Sequence, residues 1–275
     1  MNPCSTTRAR LPRAAGALLA AVAACLPVAA FAANCGDDVD GRRVACACGD
    51  TVVSDTVIEA TDPVACEPCR GDGLVLLAPF DSDGIVLDLG GQSIVGRGRG
   101  AGIRVARGGR LGSAITGGGE GGARAEVARF GTGIRASGRL VLRSVSGIDV
   151  HDNVRDGLSL GASGVRVEDV TTRGNGRHGA NVSGHAVELE AVEAEGNARD
   201  GLRVHGSGAS VAATSTGNGG DGARIGGRGA RVGVLVSTNN RGAGLKATGA
   251  GQQLGGIELH GNDGGGLAGR TGAAR

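Results

Sequence analysis

The sequence has almost no aromatic residues: among its 275 residues there is no Trp, no Tyr and only three Phe. Globular cores normally rely on large aromatic side chains for much of their buried area. This composition therefore excludes a conventional globular core. It predicts a core built from Val, Leu, Ile and Ala, whose side chains are small enough to stack in layers.

Proline and cysteine are absent from most of the chain. No proline follows Pro79, and no cysteine follows Cys69. Because proline cannot donate a hydrogen bond to a β-ladder, its absence predicts that the remainder consists largely of central strands. The cysteines beyond the N-terminus all lie between residues 33 and 72, which we predict to form an N-terminal cap.

Residues 1–32 have the pattern of a signal peptide. Three arginines precede an apolar stretch rich in Ala and Leu, and residues 30–32 (AFA) supply a cleavage site before Ala33. In an alternative interpretation, residues 22–25 (VAAC) form a lipobox and Cys25 becomes a lipidated N-terminus. Both predict export to the periplasm or out of the cell, and the short apolar run argues against a transmembrane helix.

Export makes disulfides the favoured interpretation of the cap cysteines. A four-thiolate metal site is the alternative, but the first cysteine spacing is too short for the usual zinc knuckle. We predict disulfides among Cys46, Cys48, Cys66 and Cys69, which would leave Cys35 as the odd cysteine. The spacing does not assign the connectivity.

A large net charge is also missing. The chain has 29 Lys and Arg against 27 Asp and Glu, and without the three arginines of residues 1–32 its net charge is −1. Nothing in this balance calls for nucleic-acid binding by counterion release. We therefore predict no nucleic-acid partner.

Glycine, in contrast, is abundant, and it marks a repeat. There are 56 glycines, and six of them follow an Asn by four positions at spacings of 22, 22, 21, 22 and 22 residues. The pairs are Asn153/Gly157, Asn175/Gly179, Asn197/Gly201, Asn218/Gly222, Asn240/Gly244 and Asn262/Gly266. A fixed period of this size is typical of stacked repeat architectures.

Each repeat alternates apolar and polar residues with period two, starting at the position after the glycine. Two further alternations, around positions 8 to 10 and 13 to 15, predict three short strands per repeat. Three strands per coil, each pairing in parallel with the next coil about 4.8 Å away, predict a right-handed parallel β-helix. A leucine-rich repeat would need a denser leucine pattern and helix-forming residues, which are missing.

The repeat also assigns mechanical roles. Gly and Asn tolerate the left-handed backbone of a sharp corner, and the six asparagines are predicted to stack amide on amide from coil to coil. We place the β-helix at residues 73–269 and a C-terminal tail at 270–275. The tail shows no obvious cap, which leaves end-to-end self-association open.

The Gly-Asn-x-x-x-Gly-Leu-x-Val units resemble the β-helix repeats of the pectin-lyase-like superfamily. Residues 48–52 (CGDTV) and 86–96 (VLDLGGQSIVG) resemble the opening of its exported bacterial members. The resemblance implies a right-handed parallel β-helix. Its enzymes cleave or epimerise acidic polysaccharides with clustered Asp, a catalytic Arg, Lys or His and, in some members, Ca²⁺.

Only one stretch approaches such a catalytic cluster. On a strand, Asp149 and His151 share a face, and a carboxylate could orient a histidine that acts as acid or base. The comparable Asp/His pairing in alginate-active relatives is accompanied by a Tyr, which this chain lacks. We take Asp149, His151 and Asp152 as candidates only under the enzymatic alternative.

A second column, one position before the repeat glycine, contains Asp156, His178, Asp200 and Asp221. Carboxylates stacked at the coil spacing could hold Ca²⁺, with Asp200 and Asp221 as candidates. The favoured interpretation is turn chemistry, in which Asp-Gly is a common turn pair and neighbouring arginines neutralise the stack.

These features favour an exported scaffold with a structural or interaction role at the cell envelope or outside the cell, with no cofactor. Its partner would be an extracellular polysaccharide or an envelope component. The alternative is a polysaccharide lyase or epimerase that acts on an acidic glycan, with Ca²⁺ as an optional cofactor. The missing Trp and Tyr argue against extensive sugar stacking.

Overall fold

The computed structural model describes residues 32–119, 122–138 and 141–269. The predicted C-terminal tail, Cys25 and all but the last residue of the predicted signal peptide lie outside these ranges. The strands of the first half are β1 (Asn34–Val39), β2 (Arg42–Val44), β3 (Asp50–Val52), β4 (Thr56–Val57), β5 (Leu74–Leu77), β6 (Val86–Asp88), β7 (Ser93–Val95), β8 (Ala101–Arg107), β9 (Ser113–Thr116), β10 (Ala125–Ala128), β11 (Thr132–Ser137) and β12 (Leu142–His151). A short helix, α1 (Pro63–Cys66), lies between β4 and β5.

The second half is more regular. Its strands are β13 (Leu158–Gly161), β14 (Arg166–Arg173), β15 (Ala180–Ser183), β16 (Glu188–Glu195), β17 (Leu202–His205), β18 (Ser210–Thr216), β19 (Ala223–Gly226), β20 (Arg231–Thr238), β21 (Leu245–Thr248), β22 (Gln253–His260) and β23 (Leu267–Ala268). Short and long strands alternate, one pair to each repeat. The predicted parallel β-solenoid is confirmed, with about ten turns.

Three faces enclose the core. Face 1 is the parallel stack β1-β3-β5-β8-β11-β13-β15-β17-β19-β21-β23. The long strands make the other two sides: β9 pairs with the first half of β12, which belongs to face 2, and β10 pairs with its second half, which belongs to face 3. The two strands predicted here are thus one strand bent at a corner.

Left-handed backbone makes both corners of the long strands. Gly147, Asp169 and Ala191 have φ of 66°, 50° and 50° at the corner between faces 2 and 3. At the corner between faces 3 and 1, the left-handed residue directly precedes each ladder asparagine, as Gly174 and Gly196 do with φ of 59°. The asparagines themselves do not have the left-handed backbone that the sequence analysis assigned to them.

The core consists of aliphatic layers, as predicted. Inward residues of face 1 such as Leu158, Ala180 and Leu202 are fully buried, and the one large aromatic ring inside is that of Phe130 among the described residues. Parallel strands stack these side chains in register, so each layer buries the layer before it. Small aliphatic residues therefore suffice to fill a narrow prism.

The N-terminal end is closed by an antiparallel strand and two disulfides. Strand β2 pairs antiparallel with β1, which covers the first edge of face 1. The disulfides join Cys35 to Cys46 and Cys48 to Cys69, so Cys35 is not the odd cysteine, and Cys66 belongs to neither of these two bonds. The pairing was missed because β1 lies beside β3, which brings residues distant in sequence together.

The cap region is also part of the stack. Strands β1 and β3 continue face 1 without a break at residue 72, since Thr51 pairs with Val75. Residues 53–55, with a bend at Ser54, separate β3 from β4. At the other end, Leu267 is 53% exposed, and Leu254, Ile257 and Leu259 are only partly buried.

Candidate functional site

The three catalytic candidates lie at the end of β12, on the outer surface of face 3. Asp149 and His151 alternate on one strand and so share its outer side. The imidazole Nδ1 lies 3.0 Å from an Asp152 carboxylate oxygen, and Nε2 lies 3.9 Å from Glu126. The histidine is thus oriented by Asp152, its sequence neighbour, and not by Asp149 on its own face.

Asp149 is held by a separate ion pair. Its carboxylate lies 2.9 Å from Arg124 Nε, and the same guanidinium reaches Asp169 at 2.7 Å. Asp149 is therefore engaged by Arg124, and the carboxylate that contacts His151 Nδ1 is that of Asp152. The His151–Asp152 pair is the part of this cluster that retains the geometry for proton transfer.

The Asp and His column before the repeat glycine lies inside the stack. The side chains of Asp156, His178, Asp200 and Asp221 are all buried. Each carboxylate caps the backbone of the following coil: Asp156 accepts the His178 N–H at 3.2 Å, and Asp200 accepts the Asp221 N–H at 3.0 Å. Tertiary stacking buried this turn, because each coil covers the one before it.

Asp200 and Asp221 do not make a calcium site. Asp221 accepts the Ala243 N–H with one oxygen and the Arg224 guanidinium at 2.8 Å with the other. Arg224 also lies 3.6 Å from the second oxygen of Asp200. The Arg224 guanidinium therefore occupies the position between the two carboxylates that a bound Ca²⁺ ion would take. Within the described residues, no group of three or more His, Cys, Asp or Glu side chains is placed to hold a metal ion.

His178 interrupts the carboxylate column. Its side chain is almost completely buried, and neither ring nitrogen has a hydrogen-bond partner among the described residues. Burial lowers the pKa of His178 from its ordinary value of 6.5, against the opposing attraction of Asp200 and Asp156. The ring is therefore neutral at neutral pH, although its Nδ1 lies only 3.6 Å from Asp200.

The outer surface of face 1 carries a row of cations. Arg203, Arg224 and Lys246 are paired residue to residue on three consecutive strands, β17, β19 and β21. We call these three residues the cationic row. Strand register places their backbones about 4.8 Å apart along the stack. Arg224 is paired with Asp221, but Arg203 and Lys246 have no ion-pair partner in the part of the chain that the structure describes.

Part of the opposite surface is acidic. Strand β16 presents Glu188, Glu190, Glu193 and Glu195 outward on faces 2 and 3, and Arg166 on β14 pairs with Glu188 and Glu190. The cationic row is visible in the sequence once the repeats are aligned, but apolar-polar alternation by itself predicts only a polar outer surface there.

Comparisons with models of known protein families, with curated proteins and with solved structures found no match. The functional argument therefore depends on the residues and geometry of this chain. No helix among the described residues has the length and apolar character needed to cross a membrane.

Proposed function

We propose that this protein is an exported β-solenoid scaffold that binds an acidic polymer of the cell envelope or the extracellular space through the cationic row on face 1. The observation that supports the proposal is the in-register stacking of Arg203, Arg224 and Lys246. Such a row presents several cations in a line to a partner that repeats its negative charges.

The surroundings of the row support this role. Arg199 and Arg241 are exposed on the turns that lead into face 1, and neither has an ion-pair partner among the described residues. Of the nearby carboxylates, Asp221 pairs with Arg224, which leaves Arg203 and Lys246 as the members of the row without an ion-pair partner among the described residues. Strand register fixes the spacing of the backbone positions that carry these cations, which favours multivalent attachment.

Export is supported by the chemistry of the cap. Two disulfides close the N-terminal end, and such bonds persist in oxidising compartments outside the cytoplasm. This agrees with the predicted signal peptide. A disulfide-closed solenoid with a charged flank suits a structural role in the periplasm or on the outside of the cell.

Binding to dextran sulfate, polygalacturonate and neutral dextran at several salt concentrations tests the proposal. We expect the two polyanions to bind and neutral dextran not to, with affinity falling as salt rises, because exposed charges are screened. The double variant Arg203→Gln/Lys246→Gln should bind polyanions at least roughly tenfold more weakly.

The matched control is Arg173→Gln/Arg231→Gln, which removes the same charge from the exposed surface of faces 2 and 3. It should bind the polyanions as tightly as the unmodified protein. Equal loss in both double variants would show that only net charge matters and would exclude a role for the cationic row.

A polysaccharide lyase or epimerase is the second candidate, favoured by the 3.0 Å contact between His151 and Asp152. Under this alternative His151 would serve as acid or base, with Asp152 orienting it, and Ca²⁺ as an optional cofactor. The test is formation of unsaturated product from a panel of uronate polymers, with and without Ca²⁺. Activity that disappears in His151→Ala would replace the scaffold proposal, whereas no turnover together with retained polymer binding would exclude the enzyme.

A further inference from the structure

A cleft of about 550 Å³ lies where the cap meets the corner between faces 3 and 1. It is lined by Pro68, Val95, Arg97, Arg129 and Asp152, and we call it the corner cleft. A smaller cavity of about 170 Å³ adjoins it and shares Pro68, Val95 and Arg129. This is the size range of small-molecule sites in proteins.

The backbone of Arg129 is unusual. Its φ is 61°, in the left-handed region that is disfavoured for a residue with a Cβ atom. At the same corner, the coils farther along have Gly174, Gly196 and Gly217 with φ of 59°, 59° and 65°. A glycine would therefore satisfy the fold at this position. Other coils also place a side chain at this corner, Asp152 with φ of 55° and Asn239 with φ of 54°. At Arg129 the side chain is a guanidinium at the rim of the cleft.

The charge of the corner cleft is unbalanced. Neither Arg97 nor Arg129 has an ion-pair partner among the described residues, and both side chains are exposed. The one carboxylate in the lining, Asp152, lies 3.0 Å from His151 Nδ1. Two unpaired guanidiniums that converge on one concave surface are suited to a phosphate or carboxylate.

The opposite wall of the cleft is apolar and firmly held. Pro68 precedes Cys69, which forms a disulfide with Cys48. The Cys69 N–H also donates to the Val95 carbonyl at 2.7 Å, which joins this wall to β7. Preorganised walls lower the entropy cost of binding, and the apolar surfaces of Pro68 and Val95 suit an uncharged portion of a ligand.

We propose that the corner cleft binds a small molecule in which a phosphate or carboxylate group adjoins an apolar portion. The anionic group would lie between Arg97 and Arg129, and the apolar portion against Pro68 and Val95. This site is separate from the cationic row, which runs along the outer surface of face 1 and contributes no residue to the lining of the cleft.

Calorimetric titration at low salt and neutral pH, with phenyl phosphate, benzoate and inorganic phosphate as probes, tests the proposal. We expect phenyl phosphate or benzoate to bind, and the tighter of the two identifies the anionic group. The Arg129→Gly variant should bind that probe at least roughly tenfold more weakly, because a charged hydrogen-bond donor is lost. Its melting temperature should not fall, because glycine relieves the disfavoured backbone.

The control variant is Asn239→Gly, which makes the same kind of change at the same corner in a distant coil, where φ is 54°. It should bind the probe as the unmodified protein does, and so should Arg203→Gln/Lys246→Gln. Arg97→Gln should weaken binding independently of any effect on the corner backbone. Three results would overturn the proposal: no binding of any probe, full affinity in Arg129→Gly, or inorganic phosphate binding as tightly as phenyl phosphate.

Discussion

At the scale of single residues, buried polar side chains form hydrogen bonds from each coil to the next. From Asn175 on, each ladder asparagine accepts two hydrogen bonds on its Oδ1, from the backbone N–H and the side-chain amide of the asparagine one coil earlier. Asn153, the first of the six, accepts the Phe130 N–H at 2.9 Å instead. For Asn197 these come from Asn175, at 3.1 Å and 2.9 Å. Its own amide donates to Asn218 Oδ1 at 3.0 Å and to the Thr172 carbonyl at 3.1 Å. All six asparagines, from Asn153 to Asn262, belong to this chain of bonds.

Removing one member of the ladder should be costly. Asn197→Ala leaves two donors of Asn175 without their acceptor in a buried site and removes the side-chain donor to the Thr172 carbonyl. Asn218 Oδ1 keeps the bond from the backbone N–H of residue 197. We expect a loss of about 1–3 kcal/mol in the free energy of unfolding. Denaturant unfolding measures it, with Asn181→Ala on the outer surface of face 1 as the control that should change little. Equal stability in both variants would contradict a structural ladder.

The corner between faces 1 and 2 depends on glycine for space. A Cβ on Gly206 would lie 1.6 Å from the Gly184 carbonyl oxygen, whereas one on Gly208 would meet nothing within 4 Å. We therefore expect Gly206→Ala to destabilise the protein by roughly 3 kcal/mol or more. The clashing atom belongs to the backbone of the adjacent coil and cannot move without distorting that coil. Gly208→Ala, where φ is 68°, should cost about 1 kcal/mol from backbone conformation alone.

Both glycine variants can be compared by thermal unfolding. A smaller loss for Gly206→Ala than for Gly208→Ala would mean that adjacent coils are not packed as closely as the structure shows.

At the scale of structural elements, strand register places equivalent residues of successive repeats side by side along the stack. The column that contains Asp156, His178, Asp200 and Asp221 becomes a buried line of polar side chains, while the outward column of face 1 becomes the cationic row. His178 differs from its carboxylate neighbours because burial favours its neutral form and protonation gives it a charge. It therefore links the stability of the stack to pH.

Acid should destabilise the stack through His178. Burial lowers its pKa in the folded state below the unfolded value of 6.5, so the unfolded chain binds the proton first as pH falls. The stability that neutral His178 contributes is complete above pH 6.5 and is lost as pH falls from there toward the folded pKa. The charged groups around the ring that enter this balance are Asp156, Asp200, Arg177 and Arg203.

Urea unfolding of the unmodified protein and of His178→Asn, at pH values on both sides of 6.5, measures this contribution. The difference in unfolding free energy between the two proteins should shift in favour of the variant as pH falls, since the remaining histidines are common to both. A difference that is independent of pH would contradict the assignment.

At the scale of the whole molecule, the two ends differ. The N-terminal end has an antiparallel strand and two disulfides, whereas the last described coil leaves Leu267 53% exposed. Layered stacks depend on their end coils, because each coil buries only its neighbours. End-to-end association of copies remains a proposal, and light scattering over a range of protein concentrations tests it.

The N-terminal closure should contribute measurably to stability. The Cys48–Cys69 bond closes a loop with a sequence separation of 21. Cys48→Ser/Cys69→Ser should lose about 2–4 kcal/mol, because the unfolded chain regains the entropy of the open loop. Denaturant unfolding without reductant checks this value, and an unchanged midpoint would show that the cap folds independently of the bond.

Much of the fold was predictable because its determinants are local. The period of 22 residues, the alternation around Leu158 and Leu160, and the six asparagines all follow from one repeat, and parallel stacking reproduces one coil in the next. The prediction was wrong in the less regular parts of the chain, where the repeat gives no information about contacts. The disulfide partner of Cys35 and the bent continuity of the long strands depend on contacts between different coils.

The sequence by itself determined the solenoid, its aliphatic core and the positions of its coils, because apolar-polar alternation and glycine spacing act within each repeat. Only the tertiary structure decided which polar columns became buried and which became surface. It buried the Asp and His column by stacking, aligned the cationic row through strand register, and brought the cap against Arg129 to form the corner cleft. These outcomes depend on distances between residues that lie far apart in sequence, and composition and periodicity do not specify such distances.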